Sequence, residues 1–103
     1  MNEVKLQELS TGKEYTLTPT EMAQFKIELS RTAPWRSLRT FILYLLGKDK
    51  GVWPRVAPDA LVSVRYGNRT VEYEIYGRSV LMNVRTRRIR QFYMGILLVE
   101  WVR

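Results

Sequence analysis

The sequence predicts a single small α+β domain spanning residues 1–103. Two helical-period segments lie in the first half of the chain, and glycine-led turns at Gly67-Asn68 and Gly77-Arg78 separate alternating apolar runs in the second. An apolar content of 46% is enough for one packed core and too much for a disordered chain. The expected architecture is an N-terminal β-hairpin, two helices, then an antiparallel three- or four-stranded meander with the helices packed on one face.

In chain order, Val4 to Leu9 and Glu14 to Leu17 alternate around Ser10-Thr11-Gly12-Lys13, a hairpin pattern. Thr18-Pro19-Thr20-Glu21 then offers a capping hydroxyl, proline at the first helical position and glutamate three residues after the cap. Met22, Phe25 and Leu29 should face the core, and Ala33-Pro34 should end the helix. In the next segment Trp35, Leu38, Phe41, Ile42, Leu45 and Leu46 form one apolar stripe at helical period, with Gly47 able to cap. A membrane-surface helix would need more opposing charge than Arg36 and Arg39 supply, so the stripe reads as a core-facing surface. Gly47 to Pro58 is a long loop.

The meander can be registered by its turns. Closing at Gly67-Asn68 pairs Val64 with Val71 and Val62 with Tyr73. Closing at Gly77-Arg78 pairs Ile75 with Val80, Tyr73 with Met82 and Val71 with Val84. A fourth strand after Thr86-Arg87 would bring Ile89 opposite Val84 and Tyr93 opposite Val80. A helix starting at Thr86 is the poorer choice, because it would set Arg87, Arg88 and Arg90 against the helix dipole. Residues 96–102 read as a short closing helix.

Composition bears on function mainly by exclusion. With no cysteine there is no disulfide, thiol catalysis, thiolate metal site or iron–sulfur cluster. With no histidine, the commonest general base and metal ligand are missing. Glu72 and Glu74 share one side of a strand and should be solvated beside Arg65 and Arg85, which does not suit acid–base work. Gly47-Lys48-Asp49-Lys50-Gly51 lacks the spacing of a phosphate-binding loop, and Asn68-Arg69-Thr70 matches a glycosylation sequon in a tight turn. No enzyme activity, cofactor or metal is expected. The longest apolar run, Phe41 to Leu46, is far too short to span a membrane, and no signal peptide is evident, so the chain reads as cytoplasmic.

The net charge is +7, and it is uneven. Residues 1–30 carry three lysines against five glutamates, whereas residues 31–103 carry fourteen bases against five acids. Arg85, Arg88 and Arg90 should share an outward sheet face with Phe92 beside them and Arg87 in the adjoining turn. Such a face could hold phosphates and stack a base, making nucleic acid the first candidate partner and an acidic protein surface the second. The leading expectation is therefore a non-enzymatic binding module. The competing one is a small protein-interaction or inhibitor domain working through Trp53 and Arg55 in the long loop, with the charge serving only solubility. Against that reading, Trp53 is expected to fold back as a lid over the core.

Overall fold

The computed structural model describes residues 3–31 and 35–92. Strand β1 (Glu3–Glu8) pairs antiparallel with the two-residue β2 (Glu14–Tyr15), Leu6 opposite Tyr15, as the alternation predicted. The connecting turn is organised by a buried carboxylate: Glu8 accepts hydrogen bonds from the backbone and hydroxyl groups of both Ser10 and Thr11. Helix α1 (Pro19–Arg31) begins with Thr18 accepting the Glu21 amide at 3.3 Å, and buries Met22, Phe25 and Leu29. All three were expected inside. The next helix, α2 (Trp35–Gly47), runs into a single 3₁₀ turn over Lys48–Lys50 and an irregular stretch to Asp59. The left-handed residue that closes this turn is Gly51, not Gly47.

Four further strands follow: β3 (Ala60–Tyr66), β4 (Arg69–Tyr76), β5 (Val80–Asn83) and β6 (Ile89–Gln91). With the first two they make one antiparallel sheet in the order β2-β1-β3-β4-β5-β6. The α+β class, the N-terminal hairpin and the C-terminal meander are as the sequence indicated. Among the described residues, no helix is long and apolar enough to cross a membrane.

At the β3–β4 turn, Gly67 adopts φ +64° and the predicted pairs Val64↔Val71 and Val62↔Tyr73 form. The next hairpin is slipped by one residue from expectation. Tyr76 pairs with Val80, Ile75 with Leu81 and Tyr73 with Asn83, so the loop takes three residues, Gly77 to Ser79. Because side chains alternate along a strand, the slip carries Val80 and Met82 to the face opposite Ile75 and Tyr73, and Leu81 to the same one. Met82 lies across from Glu74, not Tyr73. The fourth meander strand exists, but its pairs are Met82↔Ile89 and Val80↔Gln91, closed by a longer turn in which Arg87 has φ +60°.

The slip explains why the sheet is packed on both sides. On one face Leu6, Tyr15, Ala60, Val62, Val64, Ile75, Leu81 and Phe92 meet α1 through Met22, Phe25 and Leu29. On the other, Tyr76, Val80 and Met82 form a smaller core with Phe41 of α2, Val56 and Ile89. The two helices, expected on one face, therefore divide between the two. Interactions among Tyr93 to Arg103, including the proposed closing helix and the Val80–Tyr93 pair, lie outside the described residues.

Candidate interaction surfaces

Helix α2 is oriented the opposite way round from its apolar pattern. Its buried residues are Ser37, Thr40 and Gly47, while Trp35, Leu38 and Leu46 are 57%, 60% and 69% exposed and Ile42 and Leu45 are exposed too. Of the predicted core stripe only Phe41 turns inward, and it does so partly. The physical reason lies at the turn beneath the helix. Ser37 Oγ donates to the Tyr76 carbonyl at 2.8 Å and accepts the Arg78 amide at 3.1 Å. Gly77 packs so closely against Ser37 that a β-carbon there would overlap its hydroxyl. Such an approach needs a small side chain at Ser37, while Gly47 meets a separate need, since a β-carbon there would overlap the Val52 carbonyl. Thr40 bonds back to the Arg36 carbonyl at 2.9 Å, and among the described residues no buried hydroxyl is left open.

Asp59 completes this seat. Its carboxylate accepts the Gly77 amide and pairs with Arg36 at 3.2 Å, and Arg36 also donates to the Ala57 carbonyl. The segment after α2 then runs back along the helix. The Val52 amide donates to the Gly47 carbonyl at 3.0 Å, the Trp53 ring stacks on Tyr44 with centroids 6.0 Å apart, and Val56 enters the smaller core. Trp53 is thus not a buried lid, for it remains 41% exposed, as does its neighbour Val52 at 59%. Trp35, Leu38, Ile42, Leu45 and Leu46 share one flank of the helix and form an apolar ridge, whereas Tyr44, on which Trp53 stacks, lies on the other flank; Arg39, Lys48, Lys50 and Arg55 are exposed on the helix and the segment after it. The Arg39 guanidinium leans over the Trp35 ring at 6.0 Å.

The arginine-rich segment is arranged differently from the expected flat face. Arg85, Arg87 and Arg88 are exposed in the β5–β6 turn, which Asn83 organises by accepting the Arg85 and Thr86 amides. Arg87 reaches toward Met82 Sδ, on the α2 side of the sheet. Arg90 stands opposite Leu81 and so projects to the α1 side. Phe92, expected beside the arginines in solvent, is only 5% exposed and packs in the main core. No ion pair joins Arg85, Arg87 or Arg88 to a carboxylate among the described residues. A groove of about 250 Å³ separates this turn from Arg69 and Thr70, with Glu72 on its wall.

Other polar groups are already engaged. Arg65 pairs with Glu3 at 3.7 Å, not with the strand glutamates expected beside it. Glu74 is half-buried and accepts the Tyr76 hydroxyl at 2.6 Å; burial, then that bond, pushes the Tyr76 phenol well above its usual range. In the cleft of about 770 Å³ between the β1–β2 turn and Asp59, Glu8 is satisfied by its own turn, Glu28 pairs with Arg31 and Arg36 with Asp59. Comparison with protein-family models, curated proteins and solved structures finds no match to this chain.

Proposed function

We propose that the protein is a non-enzymatic docking module whose working surface is the apolar ridge of α2. The observation that carries this reading is the orientation of α2, which presents five large apolar side chains to solvent and buries its small residues. A contiguous apolar surface rimmed by charge is an interaction signature, whereas isolated exposed leucines are not. Trp53, one of the loop residues singled out from sequence, stacks on Tyr44, away from this flank. An apolar dye such as anilinonaphthalene sulfonate should fluoresce strongly with the folded protein. The triple variant Leu38→Ser, Ile42→Ser, Leu46→Ser should lose most of that signal with its circular dichroism unchanged. Equal dye binding by the variant would refute the reading.

A second reading, polyanion binding, is favoured by the unpaired charges of Arg85, Arg87 and Arg88. The burial of Phe92 takes away the ring that would have stacked a base, leaving phosphate contact without a stacking partner in that position. If these arginines hold phosphates, binding to RNA or DNA must weaken steeply with salt, and each Arg→Gln change should lower the salt slope by about one. Arg90 belongs to this test as a variant on the opposite side of the sheet.

A further inference from the structure

Resting on the docking reading, we infer that the partner of the α2 ridge is the surface of an anionic phospholipid bilayer. The ridge is a convex helix flank, about 20 Å long for thirteen residues. Its side chains are the aliphatic Leu38, Ile42, Leu45 and Leu46, with Trp35 at one end. Tryptophan at the margins of an aliphatic strip suits the boundary between headgroups and acyl chains, where its ring sits half in each. The polar side of the helix, which an isolated amphipathic helix would leave in water, is here bonded to the protein through Ser37 and Arg36. The fold thus supplies the rigidity that holds the ridge outward.

Charge selects the kind of partner. Between Trp35 and Arg55 there are five bases and one acid, Asp49. Arg36 is engaged with Asp59, which leaves Arg39, Lys48, Lys50 and Arg55 exposed on the helix and the segment that follows it. A second copy docking through the same ridge would bring two sets of these cations together, which opposes self-association. An anionic headgroup layer attracts all four while the aliphatic side chains enter below it. Long basic side chains can reach up to phosphates from such a depth. Nucleic acid offers charge but no apolar layer for Leu38, Ile42, Leu45 and Leu46.

The test is co-sedimentation of the full chain with vesicles of phosphatidylcholine alone and with about 30 mol% phosphatidylglycerol. The parent should bind the anionic vesicles and bind the neutral ones far more weakly. Leu38→Ser, Ile42→Ser and Leu46→Ser together should lower partition by about a hundredfold or more. Lys48→Gln and Lys50→Gln should each lower it about fivefold, on anionic vesicles only. Arg85→Gln, Arg87→Gln and Arg88→Gln should leave it within about twofold, as residues outside the strip. Strong dye binding without vesicle binding would overturn the lipid assignment and leave the docking reading standing; loss of both would remove the two together. Three other results would also overturn it. Dependence on the three turn arginines would put the contact elsewhere, and a ridge-dependent dimer would make the occupant a second copy. A steep fall in melting temperature for the ridge variant would mean that the strip is covered by the chain itself.

Discussion

Helices α1 and α2 are both thirteen residues long, follow each other in the chain and carry a regular apolar stripe, yet one turns its stripe in and the other out. In α1 the stripe of Met22, Phe25 and Leu29 meets a sheet face already lined by Leu6, Val62, Val64 and Ile75. In α2 the buried residues are Ser37, Thr40 and Gly47; Ser37 meets the backbone of a turn and Gly47 the Val52 carbonyl. The difference teaches that hydrophobic period shows that a helix forms and where its stripe lies. It does not show which side faces the protein. That is decided by what stands opposite, and a tight turn accepts only small side chains.

The comparison is broken most severely by Phe25→Ala. Phe25 is fully buried and its ring meets Tyr15 at 5.2 Å, so the change should cost about 3–5 kcal/mol in denaturant unfolding. A loss under about 1 kcal/mol would mean that α1 is not the true core helix. Second is Gly77→Ala, which tests the seat of α2. Gly77 has φ +62° and no room for a β-carbon beside Ser37, so at least about 2 kcal/mol should be lost. Shortening the neighbour by Ser37→Gly should recover only part of that, because the backbone strain remains.

Third, the α1 side has a buried polar group of its own, and it is charged where that of α2 is a hydroxyl. Burial tends to raise the Glu8 pKa, but the bonds from Ser10 and Thr11 outweigh it and hold the carboxyl below its usual range. A depressed folded value stabilises the protein above the ordinary carboxylate range, and the contribution disappears as pH falls through the folded value. Glu8→Gln should therefore cost about 1–2 kcal/mol near neutral pH, and parent and variant should converge in acid. Convergence in alkali instead would contradict the assignment. The smallest effect belongs to Leu46→Ser, expected within about 0.5 kcal/mol of the parent by thermal melting. A large loss there would show the α2 stripe to be covered.

Much of the fold was legible because local chemistry and global pairing agreed. Thr18-Pro19-Thr20-Glu21 marked the start of α1, and Gly67-Asn68 set the β3–β4 register correctly because a two-residue loop was the one formed. At Gly77 the same signal misled. A glycine-led turn looks alike at two and three residues, and Ser79 joins the loop here, where its carbonyl accepts the Phe92 amide at 2.8 Å. One clue was available in the unbroken apolar run Val80-Leu81-Met82, the mark of a strand covered on both sides. The position of Phe92 was lost with the register, and with it the flat arginine face. The candidate surface was not legible: Trp53 and Arg55 stood out as loop residues, and Trp53 packs on Tyr44, away from the ridge. Recognising it would have required noticing that Ser37, Thr40 and Gly47 also recur at helical spacing, as a small-residue stripe suited to close approach.

Among the described residues the sheet ends in two short strands, β2 with two residues and β6 with three. Beyond β2, the free part of β1 carries Glu3 and Lys5, and β6 presents Arg90. Brief, charged margins make poor templates for strand-to-strand growth, which is how many β-rich proteins polymerise when crowded. A molecule that shows so much apolar surface on one helix is thereby denied the commonest route to fibrils. At high concentration its sheets should not stack edge to edge, and assembly, where it occurs, is left to the side chains of a helix.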